Sequence, residues 1–184
     1  MQKPETKDTK GQIPDRHRKE KSEAIRDIWT FFVKLAVIIL FFWILLEVVF
    51  GLAVMEGEDM YPRIRDGDLM IYFRLQQDYH PGDVVTFSQG GRRYVGRIVA
   101  QGGDTVDINE EGELLINGNV QSEEIFYPTQ VVDETVGFPC QIPGDSVFLL
   151  SDFRTNGTDS RSYGPIATRE LDGKVITILR RRGI

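Results

Sequence analysis

Three aspartates are the residues of this chain best suited to chemistry. Asp59 lies in the loop Gly57-Glu58-Asp59-Met60-Tyr61-Pro62, and Asp152 and Asp159 lie in a polar segment near the C-terminus. Two carboxylates that share one proton can act as general acid and general base in hydrolysis. Asp59 with Asp152 or Asp159 is therefore one candidate catalytic pair.

The later aspartates also have a structural interpretation. Arg154 follows Asp152 and Arg161 follows Asp159 at the same short spacing, which suits ion pairs or hydrogen bonds within the segment. Perturbed carboxylates occur in structural networks as well as in catalytic sites. These four residues are interpreted as groups that brace a loop.

Other nucleophiles, bases and metal ligands are few. The single cysteine, Cys140, rules out an intrachain disulfide and a multi-cysteine metal site, and the two histidines, His17 and His80, do not predict a histidine site. Lys174 is the only lysine after residue 51, and arginine stays protonated and cannot act as a base in its place. Lys174 follows Gly173 and is interpreted as structural. We expect no metal and no cofactor.

Two N-terminal segments precede any candidate site. Residues 1–28 are a charged tail, with eight Lys or Arg and six Asp or Glu in the first 27 positions. Residues 29–51 are apolar apart from Thr30, Lys34, Glu47 and Gly51, and about 20 such residues cross a bilayer as a helix. The sequence predicts one transmembrane anchor at 29–51.

Basic residues predict how this anchor is oriented. Five lie between residues 16 and 26, whereas two follow the anchor within 20 residues. Because basic residues favour the cytoplasmic side, we expect a single-pass protein of the cell membrane. Its tail is cytoplasmic and its C-terminal domain is extracellular.

The remaining residues, 52–184, predict a mainly β domain. They carry a net charge of about −8, from 13 basic and 21 acidic residues, so nucleic-acid binding is not expected. Short runs rich in β-branched and aromatic residues alternate with Gly-Asp and Asn-Gly turns. The predicted strands are 69–74, 83–88, 93–100, 105–108, 113–116, 147–151 and 174–179, with a hairpin turn at Asn117-Gly118.

Several colinear motifs in this domain resemble one known family. After the apolar segment come the Asp59 loop, Gly67-Asp68, Pro81-Gly82-Asp83-Val84-Val85, Tyr94-Val95-Gly96-Arg97-Ile98-Val99 and Gly103-Asp104. The block from Ser151 to Gly164 completes the set. Together they resemble type I signal peptidases, which implies an antiparallel β domain behind a membrane anchor.

That resemblance implies a serine nucleophile and a lysine base, and this chain has neither. Asp59 stands at the serine position before the matching Met60 and Pro62, and Gly96 stands at the lysine position before the matching Arg97. Both halves of the dyad are absent. A histidine base would have to lie at residue 96, whereas His80 is expected in a solvated loop.

The C-terminal block departs from the family pattern as well. Ser151 replaces a glycine, Phe153 replaces an asparagine and Gly157 replaces a serine that helps to position the lysine in the family. The retained members of this block are Asp152, Arg154, Asp159, Ser160 and Arg161.

The losses resemble those of signal-peptidase-like proteins that assist pilus assembly in Gram-positive bacteria. By that resemblance the chain is a pseudo-peptidase that works as a chaperone or accessory factor with pilin subunits or a sortase. It would hold an extended polypeptide in the former substrate groove. The candidate groove residues are Gly57, Asp59, Met60, Pro62, Gly96 and Arg97.

The removal of a lysine at residue 96 predicts a space beside Asp59 that could accept a partner's Lys or Arg, unless Phe153 or a neighbour fills it. Two alternatives stay open: an active processing peptidase that uses Asp59 with another carboxylate, and a decoy that competes with an active signal peptidase. The first predicts cleavage of a preprotein, and the second predicts slower processing on overexpression.

Overall fold

A long helix precedes the β domain. The computed structural model describes residues 16–122, 125, 127–131, 136–155 and 157–180. Helix α1 (Arg16–Ile44) continues into a π-helical turn, Leu45–Val49. The stretch Ile25–Val49 is long and apolar enough to cross a membrane, and its large apolar side chains are mostly exposed. One N-terminal apolar helix is therefore present, as predicted.

Helical structure ends two residues before the predicted limit of the anchor. Phe50 and Gly51 form the start of strand β1 (Phe50–Val54). A Cβ atom at Gly51 would lie 2.1 Å from the ring of Tyr72 on the next strand, so the glycine permits close strand packing. The chain forms two compact units, Met1–Ile44 and Leu45–Ile184.

The second unit is built from short antiparallel strands. After β1 they are β2 (Leu69–Phe73), β3 (Val84–Gln89), β4 (Arg92–Gln101), β5 (Thr105–Ile108), β6 (Leu114–Ile116), β7 (Asn119–Val120), β8 (Cys140–Gln141), β9 (Ser146–Leu150), β10 (Ile166–Ala167) and β11 (Leu171–Leu179). Among the described residues, one sheet has the order β1-β2-β11-β3-β4-β9-β10 and a smaller one has the order β7-β6-β5-β8. A short helix, α2 (Ser160–Tyr163), follows β9.

Three apolar clusters hold these strands together. Met60, Phe87 and Phe148 are each buried in a different cluster. The cluster around Phe148 also contains Val106 of β5, so it joins the two sheets. Burial of each such side chain contributes roughly 1.5–3 kcal/mol. Met60, a candidate groove residue, is therefore a core residue.

The structure confirms the mainly antiparallel β fold and all seven predicted strands, with limits that differ by at most three residues. The hairpin turn is also present, since Asn117 and Gly118 both have positive φ (54° and 78°) between β6 and β7. Strand β1 was not predicted, because its apolar residues continue the apolar run of the anchor. The two-residue strands and α2 are too short to give a periodic signal.

Candidate functional site

The Asp59 loop is fixed to the body of the domain on both sides of the aspartate. Met60 and Ile64 are buried in the core. The carbonyl of Asp59 accepts a 2.9 Å hydrogen bond from the Phe153 N–H, and the Gly57 N–H donates to Asp66 Oδ1 at 2.8 Å. The loop therefore presents the half-buried Asp59 side chain in one place, next to the segment that carries Phe153.

The surroundings of Asp59 disfavour its charged form. Burial raises the pKa of this carboxyl above its usual value, Arg92 opposes the shift, and the negative charge of Asp159 adds to it. Within the described residues no side-chain or backbone donor hydrogen-bonds the carboxylate. Asp59 is thus a weaker receptor for a cation than its sequence position suggests.

Tyr163 lies near Asp59 and was not singled out from the sequence. Burial raises the pKa of its hydroxyl, and the charges of Asp159 and Asp59 contribute in the same direction. This hydroxyl is buried and has no hydrogen-bond partner among the described residues. The only sequence signal is its place just before Gly164, at the end of the matched block.

Gly96 does not border an open space. It is buried in β4 opposite Val85, and an added Cβ would lie 3.1 Å from the Leu149 Cβ and 3.8 Å from the Leu150 carbonyl oxygen. It does not line the cavity that reaches Asp59. The predicted space for a cationic guest is therefore absent, because Leu149 packs against the glycine.

The segment after β9 is braced by a buried ion pair, as predicted for Asp159 and Arg161. The Arg161 guanidinium donates to both carboxylate oxygens of Asp159 at 2.8 Å. Asp159 also accepts from the Ser151 N–H and caps α2 by accepting from the Arg161 N–H. The hydroxyl of Ser160 accepts from the Leu149 N–H at 3.0 Å. These hydrogen bonds fix the conformation of the segment between β9 and α2, which lies next to the Asp59 loop.

Asp152 pairs with a residue other than the neighbour expected from the sequence. Its carboxylate accepts from Arg97 at 2.8 and 2.6 Å, and Arg97 also donates to the Gly82 carbonyl. Arg154 donates to the Ser151 carbonyl and to the Thr129 hydroxyl. The predicted Asp152–Arg154 contact is therefore wrong, because Arg97 reaches Asp152 from the adjacent strand.

These pairings bear on the aspartic dyad. Asp152 is committed to Arg97 and Asp159 to Arg161, and neither carboxylate hydrogen-bonds Asp59 in the described structure. Two carboxylates that share a proton must be in direct contact. Within the part of the chain that is described, the geometry of an aspartic dyad is not present.

The remaining titratable candidates have local roles. Lys174 Nζ lies 2.7 Å from Asp83 Oδ1, so it is held in an ion pair between β11 and the turn before β3. His80 lies in an exposed loop, where its side chain is 3.8 Å from Asp78 Oδ2. No cluster of three or more His, Cys, Asp or Glu that could hold a metal occurs among the described residues.

A cavity of about 360 Å³ reaches Asp59 from the side of β1. It is lined by residues 52–56, residues 91–95, Asp59 and Met70. Glu56 and Asp59 lie on one side, and Arg92 and Arg93 lie on the other. We call this cavity the β1–β4 groove. Gly57 and Pro62 belong to the adjoining loop, and Arg97 is turned to Asp152.

The β1 side of the groove is an unpaired strand edge. The Met55 N–H donates to the Asp68 carbonyl and the Met55 carbonyl accepts from the Gly67 N–H, so Met55 faces β2. Alternate residues of an antiparallel strand direct their polar groups to opposite sides. Leu52 and Val54 therefore direct N–H and C=O into the groove, and β1 pairs only with β2 among the described strands.

The β4 side offers a second free edge. Ile98 exchanges backbone hydrogen bonds with Gly82 and Asp83 on the side of β3. By the same alternation, the backbone N–H and C=O groups of Arg93 and Val95 point away from β3. Strand β9 pairs with β4 only along Arg97–Gln101, so this half of β4 has no second strand partner in the described structure. The groove thus lies between two rows of free backbone groups.

Comparison with known proteins gives the family. Residues 28–179 match the family described as "Signal peptidase, peptidase S26". The chain belongs to the signal peptidase family. This confirms the family resemblance inferred from the motifs.

Two bacterial relatives illustrate the similarity of this signal peptidase family member. Signal peptidase I of Bacillus amyloliquefaciens is 26% identical over 170 residues, which cover 86% of this chain and 90% of that protein. Signal peptidase I of Bacillus caldolyticus is 28% identical over 142 residues, covering 69% and 78%. A signal peptidase I structure from Enterococcus faecalis V583 is 23% identical, with a TM-score of 0.44, and covers 55% of this chain and 98% of that one.

Proposed function

We propose that this signal peptidase-like protein does not cut peptides and instead holds an extended polypeptide in the β1–β4 groove. The observation that carries the proposal is a groove with two free strand edges, next to a site with Asp59 and Gly96 in place of a serine and a lysine. Recognition and cleavage are separable in such a site, because main-chain pairing does not need the catalytic groups.

Inactivity is supported by the groups around Asp59. The charges that act on it are those of Arg92, which stays protonated, and of Asp159, whose carboxylate is held by Arg161. The single lysine after residue 51, Lys174, is held by Asp83. Covalent catalysis needs a side-chain nucleophile with an adjacent base, and the described surroundings of Asp59 do not supply that base. Hydrolysis by two carboxylates needs Asp59 in contact with a second carboxylate, and among the described residues Asp152 and Asp159 are paired with arginines instead.

Binding is supported by the backbone rather than by the Asp59 charge. An added strand can pair with the outward groups of Leu52 and Val54 on one side and of Arg93 and Val95 on the other. Its alternate side chains would then meet the lining of the groove. The raised pKa of Asp59 and the nearby Arg92 both weaken a dedicated cation site there. The cationic guest is therefore not the main determinant of binding.

The biological role we propose is that of a chaperone or accessory factor in pilus assembly. It rests on the resemblance to signal-peptidase-like proteins that act with pilins and a sortase in Gram-positive bacteria. Pilin subunits and sortases meet at the outer face of the cell membrane, where an anchored extracellular domain would encounter them. The occupant of the groove would be an extended segment of a pilin or of the sortase.

The groove is tested by Val54→Pro with Val54→Thr as its matched control. Proline removes the outward N–H without removing a bond to β2, whereas threonine keeps that N–H and the branched side chain. In co-purification of tagged full-length protein with pilin or sortase from membranes, Val54→Pro should lower recovery about tenfold, as expected for a loss of roughly 1.4 kcal/mol. Asp59→Asn should leave recovery nearly unchanged.

Equal recovery with Val54→Pro and Val54→Thr would refute binding through the strand edge. The assembly role has its own test, which is deletion of the gene followed by measurement of polymerised pilin. Loss of polymer, restored by the wild-type gene and not by Val54→Pro, is expected. Normal polymer in the deletion strain would refute the role in assembly.

A second candidate is an active processing peptidase, because the relatives described above are named signal peptidase I. It predicts that the full-length protein in detergent cleaves a preprotein, and that Asp59→Asn abolishes the cleavage. Our proposal predicts no cleavage by either protein under conditions in which an active signal peptidase I digests the same preprotein.

A further inference from the structure

Ser151 has a buried hydroxyl with no hydrogen-bond partner among the described residues. The residue is 0% exposed, and its backbone is fully engaged. Its N–H donates to Asp159 Oδ2 at 3.0 Å, and its carbonyl accepts from Arg154 Nε at 2.8 Å. A buried hydroxyl is costly when unpaired. These hydrogen bonds explain the position of the Ser151 backbone, but they do not explain why residue 151 carries a buried hydroxyl.

That reason lies six residues later, at Gly157. A Cβ atom placed on Gly157 would lie 2.1 Å from Ser151 Oγ, 2.2 Å from Ser151 Cβ and 3.1 Å from the Phe153 carbonyl oxygen. Rotation about χ1 can move Oγ but cannot move Cβ, which the backbone fixes. With the backbone in this conformation, residues 151 and 157 cannot both carry a side chain.

We infer that residues 151 and 157 share one side-chain space, and that Ser151 delivers into it the hydroxyl that a serine at position 157 would otherwise supply. The two departures from the family block, serine at position 151 and glycine at position 157, are then one exchange rather than two losses. The loss of polar groups is then confined to Gly96 and Phe153, whereas Asp59 exchanges one polar group for another.

The position of this hydroxyl relates it to the former base. Ser151 directly follows Leu150, the last residue of β9. Leu149 and Leu150 are the residues that an added Cβ at Gly96 would meet. The exchange therefore keeps a buried hydroxyl in the segment that follows the residues packed against Gly96, and it does so whether or not the groove binds a pilin.

A substitution cycle tests the shared space, with thermal unfolding of the full-length protein in detergent as the measurement. Gly157→Ser should lower Tm by at least about 5 °C, because overpacking of a close-packed interior is destabilising. Ser151→Gly with Gly157→Ser should return Tm to within about 2 °C of wild type. Ser151→Ala with Gly157→Ser should not recover, because the Cβ at residue 151 still overlaps.

A crystal structure of the exchanged double variant, Ser151→Gly with Gly157→Ser, tests the placement of the hydroxyl. The hydroxyl oxygen introduced at position 157 should lie within about 1.5 Å of the place that Ser151 Oγ occupies in the wild type, which is one covalent bond length. The inference is overturned if Gly157→Ser is as stable as wild type, or if Ser151→Ala rescues it as well as Ser151→Gly does. It is also overturned if the exchanged variant fails to fold or turns the introduced hydroxyl to solvent.

Discussion

At the scale of single residues, Asp59 and Gly96 differ in the interactions that their surroundings impose on them. Asp59 keeps a charged group in a partly desolvated place, next to Arg92 and Asp159. Gly96 keeps no side chain, and Leu149 packs against its backbone. The charged form of Asp59 is therefore disfavoured by its surroundings, whereas the space beside Gly96 is filled by Leu149.

Asp59→Asn should stabilise the protein at neutral pH. The folded-state pKa of Asp59 is raised above its usual 3.8, so the folded state binds this proton more tightly than the unfolded state does. Stability from Asp59 is therefore present below pH 3.8 and is lost as pH rises through the folded pKa. The advantage of Asp59→Asn over wild type should be seen at about pH 7 and vanish near pH 3 in thermal unfolding.

The control for this prediction is Glu58→Gln, which removes the same charge from an exposed neighbour. It should show no comparable pH-dependent gain. If Asp59→Asn were less stable than wild type at neutral pH, then the carboxylate would be held by favourable contacts and its electrostatic description would be wrong.

Gly96→Ala should destabilise the domain by about 1–3 kcal/mol, the usual cost of overpacking a core. Its Cβ would lie 3.1 Å from that of Leu149, which is fully buried and has little room to move. Gly144→Ala is the matched control, because a Cβ there meets open space, and it should change stability by less than about 1 kcal/mol. Chemical denaturation measures both.

A smaller residue at position 149 provides the decisive comparison. Leu149→Gly should itself be destabilising, but adding Gly96→Ala to it should cost less than in wild type, because the Leu149 Cβ that an added Cβ at residue 96 would meet is then gone. An equal cost of Gly96→Ala in both backgrounds would show that Leu149 is not the group that closes this position.

At the scale of elements, the segment from Ser151 to α2 contacts both the Asp59 loop and β4. It joins the Asp59 loop through the Phe153 N–H and joins β4 through the Asp152–Arg97 pair. Phe153 also packs its ring against Tyr61 and Tyr127. The buried ion pair of Asp159 with Arg161 braces this segment and thereby helps to hold these contacts in place.

Arg161→Met should be strongly destabilising, by about 3–5 kcal/mol, because it leaves the Asp159 carboxylate buried without its partner. The side chains of the pair are 0% and 2% exposed. Arg93→Met breaks the more exposed pair with Asp172 and should cost at most about 1 kcal/mol. Denaturant unfolding compares them, and similar costs would contradict the importance assigned to burial.

The groove is also a property of elements rather than of single residues. It exists because β1 is an edge strand and because β9 leaves half of β4 unpaired in the described structure. A substitution that changes only a side chain there should matter less than one that removes an outward N–H. This is the reason to compare proline with threonine at residue 54.

At the scale of the whole molecule, the apolar helix and the basic residues that precede it predict a membrane-attached protein with its domain outside the cell. The single native cysteine makes this testable. In a Cys140→Ser background, Glu111→Cys places a thiol on an exposed turn of the domain. A membrane-impermeant maleimide applied to intact cells whose wall is permeable to it should label Glu111→Cys.

Gln2→Cys in the same background is the control for orientation. It should be labelled only after the membrane is permeabilised, because the tail is predicted to be cytoplasmic. The reverse pattern would invert the topology. Labelling of both sites in intact cells would contradict a single membrane crossing.

Seven of the strands and the family could be predicted from the order of residues along the chain. Period-two apolar runs separated by Gly-Asp and Asn-Gly turns fix local backbone structure, and colinear motifs identify relatives without any distance being known. The motifs also predict that Asp59 and Gly96 stand at the serine and lysine positions of the family. All of these are statements about residue type and order along the chain.

Apart from one ion pair between residues close in sequence, the contacts between side chains could not be predicted from the sequence. Asp152 is paired with Arg97 rather than with Arg154. Leu149 packs against Gly96 and fills the space beside it. Strand β1 borders a groove, although its apolar sequence did not predict a strand. The sequence does not show that Ser151 and Gly157 are related. In the structure, a Cβ atom added at Gly157 would lie 2.1 Å from Ser151 Oγ, so the two residues compete for one side-chain space. Such relations depend on strand register and packing between segments distant in sequence, which local patterns do not encode.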